Sequence, residues 1–353
     1  MVKNILVTGG AGFIGSHTVV SLAEAGFRPV IVDDFSNSEP SVLAGLRHIL
    51  GYDVPCYPIN CNDLGALRAI LREEKIAGVI HFAAYKAVGE SVQAPLAYYQ
   101  NNLGSLFTLL DAMLAENIFT LIFSSSCTVY GEPDQPPVTE QTPIKAATSP
   151  YGNTKQIGEE ILRDVSASRP LSAISLRYFN PIGAHPSAYI GELPLGVPSN
   201  LVPFMTQAAA GLRRGLTIFG DDYPTPDGTC IRDFIHVMDL AEAHVAALHY
   251  AFKAGPIYDT FNVGSGRGVS VMELVRMFEK VSGQALPYSI GPRRAGDVVA
   301  VWADVQKSAE TLQWSTQRDL ITALEDAWKW QKTLQSTEYE PNKTTPSPRH
   351  RGI

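Results

Sequence analysis

Two residues four positions apart carry the clearest chemical potential in this chain, Tyr151 and Lys155, within the run PYGNTK. On a helix this spacing places both side chains on one face. A phenol has a reference pKa of about 10, and a neighbouring ammonium favours the phenolate, which is a base. Tyr151 and Lys155 therefore form a candidate proton-transfer pair.

The same spacing occurs often on amphipathic helices, where the tyrosine packs and the lysine is solvated. Here it follows a serine cluster, Ser124-Ser125-Ser126, at the end of a predicted strand. Ser126 is placed to hydrogen-bond the hydroxyl that Tyr151 would deprotonate. The serine cluster therefore strengthens the catalytic interpretation.

Three glycines, Gly9, Gly12 and Gly15, lie between the first predicted strand and the first predicted helix. Glycine lets the backbone turn tightly and approach a pyrophosphate, and a helix N-terminus offers free N–H groups. The alternative is a glycine-rich turn without a ligand. Asp33 ends the second predicted strand, where a carboxylate can accept both hydroxyls of an adenosine ribose. The neighbouring Asp34 would repel a 2′-phosphate, so the sequence favours NAD over NADP.

Alternating strands and helices position these residues. The predicted strands are 3–8, 29–32, 78–83, 120–124 and 172–177, and the predicted helices are 12–25, 64–73, 92–115 and 150–166. This order predicts an α/β fold, a doubly wound parallel sheet (Rossmann) with a smaller α/β substrate-binding domain. We predict a NAD-binding domain over 1–180 and a substrate domain over 181–335. Segments near 234–264 are expected to pack back on the first domain, and 336–353 are expected to form a mobile tail.

Composition excludes several classes of protein. The 353 residues carry 28 Lys and Arg against 35 Asp and Glu, a net charge of −7, which argues against a nucleic-acid partner. Four cysteines are too few for a disulfide framework and show no zinc-binding spacing, so no metal site is expected. With no uninterrupted apolar run of about 18 residues, we expect a soluble, cytoplasmic protein without a membrane partner.

The chain resembles the extended short-chain dehydrogenase/reductase family, and within it the UDP-glucose 4-epimerases. The resemblance runs from Lys3 to about Trp330 and is carried by VTGGAGFIGSHT, SSSCTVYG, SPYGNTK, LRYFNPIGAHPS, FGDDYPTPDGTCIRDFIHV and the RRAGD–WAD segment. It implies a homodimer that interconverts UDP-glucose and UDP-galactose, with one NAD reduced and reoxidised in each turnover. It also implies that Tyr151 is the base, that Lys155 holds the nicotinamide ribose, and that Ser126 orients the sugar O4.

The resemblance further implies two sets of contact residues. Those for NAD are Gly9, Gly12, Phe13, Ile14, Gly15, Asp33, Asp34, Asn37, Ser38, Asn60, Cys61, Phe82, Ala83, Ala84, Lys86, Asn101, Tyr151, Lys155 and Phe179. Those for the UDP-sugar are Ser126, Tyr151, Asn180, Asn200, Leu201, Thr217, Phe219, Arg232, Arg294, Asp297 and Val301.

Two positions depart from the family pattern. Asn60 stands where the family usually presents an aspartate to the adenine amine; its amide oxygen still accepts a hydrogen bond, without charge. Val301 stands where members with a narrow sugar pocket carry tyrosine, which predicts tolerance of UDP-GlcNAc and UDP-GalNAc.

Other functions stay open at this point. Nucleotide-sugar 4,6-dehydratases need an acid and a base to expel water, and carry an Asp-Glu pair where this chain has Cys127 and Thr128. A decarboxylating relative would need an additional cation near SSSCTVYG. A non-enzymatic NAD-binding sensor or scaffold is the alternative from another class, although it would tolerate loss of the catalytic residues that are present here.

Overall fold

The computed structural model describes residues 2–294 and 296–336. The predicted mobile tail, apart from Ser336, lies outside the described residues. Within the described part of the chain, no helix is both long enough and apolar enough to cross a lipid bilayer.

Each of the five predicted strands is present, within two residues of its predicted bounds, and the described residues form further strands. The strands are β1 (Asn4–Thr8), β2 (Arg28–Val32), β3 (Cys56–Tyr57), β4 (Ile76–His81), β5 (Thr120–Ser124), β6 (Ser172–Tyr178), β7 (Asn180–Ile182), β8 (Leu216–Phe219), β9 (Ile231–His236), β10 (Ile257–Val263), β11 (Gly268–Ser270), β12 (Tyr288–Gly291) and β13 (Ala300–Val301). The helices are α1 (Phe13–Glu24), α2 (Ser41–Leu50), α3 (Leu64–Glu73), α4 (Val88–Gln93), α5 (Pro95–Ala115), α6 (Pro150–Ser168), α7 (Leu201–Ala209), α8 (Val237–Ala254), α9 (Val271–Ser282), α10 (Gln306–Thr311) and α11 (Leu320–Gln335).

A seven-stranded parallel sheet forms the centre of the fold, in the order β10-β6-β5-β4-β1-β2-β3. Its central strands are apolar on both faces because helices cover both faces. Leu6 and Val7, adjacent on β1, are both fully buried, and they belong to two separate apolar clusters. The predicted doubly wound sheet is confirmed.

A strand from the second half of the sequence, β10, completes this sheet. Strand β10 pairs in parallel with β6 along its whole length, from Ile257 against Ser172 to Val263 against Tyr178. The preceding helix α8 packs against α1, and apolar residues of both helices share one buried cluster. Residues 237–263 are therefore part of the core that supports the glycine-rich turn.

The smaller part is built on β9, which pairs with β7, β11 and β13, and on the parallel pair β8 and β12. Helices α7, α9 and α11 pack together beside these strands and enclose a third apolar cluster. This arrangement agrees with the predicted smaller α/β unit.

One helix prediction was wrong. The periodicity of 92–115 predicted a continuous helix, but α4 ends at Gln93 and α5 starts at Pro95. Proline cannot donate a backbone hydrogen bond, and its ring clashes with the preceding turn, so it suits the first position of a new helix. The resulting bend separates Glu90, at the cavity described below, from the long α5 helix.

Candidate functional site

A cavity of about 460 Å³ opens at the carboxyl edge of the seven-stranded sheet. Parallel α/β sheets bind their ligands at this edge, where the loops after successive strands converge. Every predicted cofactor-contact residue except Phe179 lines the cavity. Its walls therefore join the glycine-rich turn, the end of β2 and the predicted proton-transfer pair.

The glycine-rich turn has no room for side chains. Gly9 has φ +69°, in the left-handed region. A Cβ on Gly15 would lie 2.2 Å from the carbonyl oxygen of Gly9, and one on Gly9 would lie 2.9 Å from the backbone nitrogen of Ala83. Because Gly12 is the N-cap of α1 and the first turn of this helix is uncharged, free N–H groups face the cavity edge. The turn fits the pyrophosphate of a dinucleotide.

Asp33 is held rigidly at the end of β2, with 8% of its surface exposed. Its carboxylate accepts hydrogen bonds from the backbone N–H groups of Ala11 (3.0 Å) and Phe35 (2.9 Å), and from Ser38 Oγ (2.8 Å). A carboxylate has about four acceptor positions, so one remains for a ribose hydroxyl. The carboxylate thus links the turn to the adenosine end of the cavity.

Asn60 is more constrained than its sequence position suggests. Its Nδ2 donates to Asp34 Oδ2 at 2.7 Å, and its Oδ1 accepts from both the backbone nitrogen and Nδ2 of Asn62, at 2.9 Å each. An amide oxygen has two lone pairs, and both are used here. An adenine amine would therefore have to replace one bond to Asn62.

Tyr151 and Lys155 lie in the first turns of α6, where Ser149 caps the helix by accepting from Gly152 N at 3.1 Å. Lys155 Nζ donates to the carbonyl oxygen of Ser124 at 2.6 Å, which ties α6 to the end of β5. Burial lowers the pKa of Lys155 to about 7, while the carboxylate of Glu159 acts in the opposite direction. The charged form of Lys155 thus depends on nearby negative charge.

Tyr151 lies beside the same strand end. Burial, followed by the proximity of Tyr178, raises the pKa of the Tyr151 hydroxyl well above its usual range, and a hydrogen bond with Ser126 opposes this shift. Ser126 is itself fixed, because its Oγ accepts from Thr128 N at 3.2 Å and caps a short 3-10 helix, Cys127–Tyr130. The structure therefore brings together the predicted tyrosine, lysine and serine.

Most of the residues predicted to contact a UDP-sugar lie in the smaller part of the molecule, whereas Ser126 and Tyr151 lie after β5 and on α6. The Arg294 guanidinium lies 4.6 Å from the ring centroid of Phe219, a stacked cation–π contact. Phe219 and Thr217 both point to the exposed face of β8. Asn200 and Leu201 start α7, and Asn180 starts β7 beside β9.

Arg232 on β9 is oriented by three acceptors. Its Nη1 donates to the carbonyl oxygens of Ile231 (2.9 Å) and Val298 (2.8 Å), and its Nη2 lies 3.4 Å from Asp297 Oδ1. Guanidinium groups fixed in this way suit bidentate binding of phosphate oxygens. Arg294 is thus a cation beside an exposed aromatic ring, and Arg232 is a cation already oriented by Asp297.

Comparison with known proteins identifies the family. The sequence profile of the NAD dependent epimerase/dehydratase family matches residues 5–264. The chain belongs to this family. It is 50% identical over 329 residues to a protein of Neisseria meningitidis serogroup A named UDP-glucose 4-epimerase, a match that covers 93% of this chain and 97% of that protein.

Two solved structures of the same family resemble this fold closely. The UDP-glucose 4-epimerase of Stenotrophomonas maltophila, with bound NAD and formylated UDP-arabinopyranose, has a TM-score of 0.92 at 45% identity and covers 94% of this chain and 99% of its own. The enzyme from Bifidobacterium longum, in complex with NAD+ and UDP, has a TM-score of 0.91 at 43% identity, with coverage of 94% and 98%.

Within this epimerase/dehydratase family, the residues after Ser126 argue against a dehydratase. Burial raises the pKa of the Cys127 thiol to about 12, so it stays protonated, and Thr128 has a hydroxyl in place of a carboxyl. Neither can act as the acid and base pair that removes water. Across the described residues, no group of three or more His, Cys, Asp or Glu side chains could hold a metal ion.

Val301 and Phe179 share an apolar cluster that sequence reasoning had not joined. Val301 is 5% exposed on β13 and packs with Phe179, Val129, Tyr130 and Ala303, among others. Phe179 was predicted to contact the cofactor, and it is absent from the described lining of the 460 Å³ cavity. It packs instead with Val301, which is paired with Arg232 between β13 and β9.

Two features of the cavity were missed in the sequence. Tyr178 hydrogen-bonds Ser124 Oγ at 2.5 Å and lines the cavity; its place at the carboxyl end of a predicted strand was an available signal. Glu192 forms part of the opposite wall, where its Oε1 lies 3.4 Å from Lys86 Nζ and accepts from Asn200 Nδ2 at 2.6 Å. No motif marked Glu192, because only the fold brings it to this edge.

Proposed function

We propose that this chain interconverts UDP-glucose and UDP-galactose by transient oxidation at C4 of the sugar, with NAD held in the 460 Å³ cavity. The observation that carries the proposal is the cluster of Tyr151, Lys155 and Ser126 beside a turn shaped for a dinucleotide. The 50% identity to a named UDP-glucose 4-epimerase supports it.

The residues divide the chemistry in a simple way. NAD, when bound, accepts the hydride from C4 and later returns it. Tyr151 Oη takes the proton of the 4-hydroxyl and gives it back, while Ser126 Oγ holds the same oxygen. Burial disfavours the phenolate of Tyr151, so the reaction needs a positive charge beside it. We propose that the Lys155 ammonium, whose Nζ lies 5.8 Å from the Tyr151 ring centroid, supplies this charge.

A substrate that is bound mainly through its nucleotide leaves its sugar free to rotate. We propose that Arg232 and Arg294 hold the diphosphate and that Phe219 stacks on the uracil, so that binding energy is placed on parts of the substrate that do not react. The remaining predicted contacts, Asn180, Asn200, Leu201, Thr217 and Asp297, are proposed to complete the nucleotide site. A 4-keto sugar held mainly through its nucleotide can rotate and present its opposite face.

The small side chain of Val301 widens the proposed substrate range. Val301 is buried in an apolar cluster, and its side chain is much smaller than the tyrosine ring that a narrow sugar pocket would carry there. We propose that UDP-GlcNAc and UDP-GalNAc are also interconverted, with the acetamido group at C2 taking the place of that ring.

We also propose a homodimer in the cytoplasm. Helix α5 carries exposed or half-buried apolar residues on one face, including Leu96, Leu103 and Phe107, beside helix α6. Such a stripe is typical of helices that pack against a partner. The free cysteines at 56, 61, 127 and 230 agree with a reducing compartment.

Product analysis with and without Tyr151 tests the reaction. The wild-type protein is incubated with UDP-galactose without added NAD, and UDP-glucose is measured by chromatography. Tyr151→Phe should lower the rate by about 10²- to 10⁴-fold, because general acid–base catalysis is lost. The variant should still bind NAD, which is measured in parallel by calorimetry.

The alternative of an NAD-binding sensor makes a different prediction. A sensor would bind NAD but form no UDP-glucose, and would show no absorbance of reduced nicotinamide after addition of UDP-galactose. Epimerisation by Tyr151→Phe at the wild-type rate would overturn the proposed role of this tyrosine.

A further inference from the structure

A buried ion pair lies directly behind the proposed catalytic residues. Glu159 and Arg177 have side chains that are 1% and 4% exposed. Arg177 donates from Nε to Glu159 Oε1 at 2.9 Å and from Nη2 to Glu159 Oε2 at 2.6 Å. This bidentate geometry fixes the carboxylate in one orientation.

The carboxylate has a third partner. Ser125 Oγ donates to Glu159 Oε1 at 2.6 Å. Ser125 stands between Ser124, whose carbonyl oxygen accepts from Lys155, and Ser126, which hydrogen-bonds Tyr151. A single buried carboxylate therefore contacts the middle residue of the serine cluster.

The same carboxylate belongs to the catalytic helix. Glu159 follows Lys155 by four residues and Tyr151 by eight on α6, so the three residues follow one another along one side of the helix. Any rotation or slide of α6 relative to the end of β5 would have to break the bond between Glu159 and Ser125.

We propose that Glu159 is a positioning residue: its carboxylate ties the helix that carries Tyr151 and Lys155 to the strand end that presents the serines. The inference rests on the proposed epimerase reaction and adds a residue that touches neither substrate nor cofactor. Its charge has a second effect, because it is the nearby anion that favours the protonated form of Lys155.

The surroundings of both groups define what can titrate. The titratable groups near Lys155 are Tyr151 and Glu159 on its own helix and His81 on β4. Those near Glu159 are Lys155 on its own helix, Arg177 on β6, Tyr130 in the 3-10 helix and Tyr258 on β10. Burial lowers the pKa of His81 to about 3, so it is neutral at working pH. Glu159 is therefore the negative charge available to Lys155 in this set.

Two substitutions separate the effect of the hydrogen bond between Ser125 and Glu159 from the effect of the Glu159 charge. Ser125→Ala removes the tether and keeps the ion pair, and it should lower kcat by on the order of 10- to 100-fold through misalignment while leaving the KM for UDP-galactose unchanged. Glu159→Gln keeps an acceptor for Ser125 but removes the charge. It should move the alkaline fall of the kcat profile to lower pH, because Lys155 then loses its proton more easily.

Matched controls keep the result clear. Tyr130→Phe removes two hydrogen bonds of the same network, the one from Arg177 Nη1 (3.1 Å) and the one to Asn262 Oδ1 (2.6 Å). It leaves Glu159 with its partners, so kcat and the pH profile should stay as in the wild type. If Glu159→Gln does not fold because Arg177 is left unpaired, the double variant Glu159→Gln, Arg177→Met removes both charges and takes its place.

The outcomes distinguish this proposal from the reaction itself. The positioning role would be overturned if the wild type is active, Ser125→Ala has the same kcat as the wild type, and the kcat of Glu159→Gln, or of the double variant, falls at the same alkaline pH as that of the wild type. A wild-type protein that forms no UDP-glucose would instead overturn the proposed function.

Discussion

Val301 has a much smaller side chain than tyrosine, and here it is packed in one apolar cluster with Phe179 and Tyr130. Val301→Tyr should abolish turnover of UDP-GalNAc and preserve that of UDP-galactose, because the ring would occupy the space proposed for the acetamido group. The larger side chain should also cost about 1–3 kcal/mol of stability through overpacking. The ratio of kcat/KM for the two substrates measures the first effect, and chemical unfolding measures the second.

A control for packing alone comes from Val305, which packs against the same cluster and is partly buried. Val305→Tyr introduces the same ring and should leave the substrate ratio unchanged. Equal turnover of UDP-GalNAc by the wild type and Val301→Tyr would show that residue 301 does not set the width of the sugar site.

At the scale of single residues, sequence reasoning located side chains that act through their chemical type. Tyr151, Lys155 and Ser126 were identified by spacing and by their place at a strand end, and the structure brings them together. It did not locate Glu192, whose role depends on a loop folding back over the cavity. It also did not show that the Asn60 oxygen is already bonded twice to a neighbour.

The turn between β1 and α1 allows a sharp test at the scale of an element. Gly15→Ala places a methyl group 2.2 Å from the carbonyl oxygen of Gly9 and 2.8 Å from the Cα of Gly10, so the turn must open. We expect NAD affinity to fall by about tenfold or more, since each 1.4 kcal/mol lost in binding is a factor of ten. Calorimetric titration of NAD measures the change.

Gly89→Ala provides the matched control for this substitution. Gly89 lies within the α4 helix, and a Cβ there would meet nothing within 4 Å. Alanine should raise stability slightly, by up to about 1 kcal/mol, and leave NAD affinity as it is. Unchanged NAD affinity in Gly15→Ala would mean that the close approach within the turn is not needed for binding.

The bounds of helices and strands show where the local sequence pattern is sufficient to predict an element. The helix at Leu64–Glu73 and the strand at Thr120–Ser124 were predicted with the observed bounds, because each has a clear period and clear ends. The break before Pro95 was missed, since apolar spacing continues across it. Helix α2 (Ser41–Leu50) was missed as well, and the two-residue strand β3 is too short to leave a period.

The exposed face of α5 leads to a prediction about the whole molecule. Leu96 is 73% exposed and Phe107 is 51% exposed, on the face that also carries Leu103. If this face joins two copies, a buried glutamate at its centre would leave an unpaired charge in the interface. Phe107→Glu should therefore convert a dimer into a monomer, as measured by light scattering coupled to size exclusion.

Leu212→Glu is the control, because Leu212 is 59% exposed and lies between α7 and β8, in the smaller part of the molecule. It should keep the mass of the wild type. A wild-type protein with the mass of one chain, or a Phe107→Glu variant that stays a dimer, would contradict the proposed interface.

Two elements from the second half of the sequence belong to the core of the first half, and this limits how the protein can be divided into fragments. Strand β10 closes the edge of the sheet beyond β6, and α8 covers the apolar face of α1, yet both come from sequence after the nominal boundary at residue 180. A fragment that ends at this boundary would expose the unpaired edge of β6 and the apolar face of α1. Exposed strand edges and exposed apolar surfaces together promote aggregation. The first 180 residues are therefore not an independent folding unit. Recombination or gene fission at that boundary would yield a fragment without a complete core.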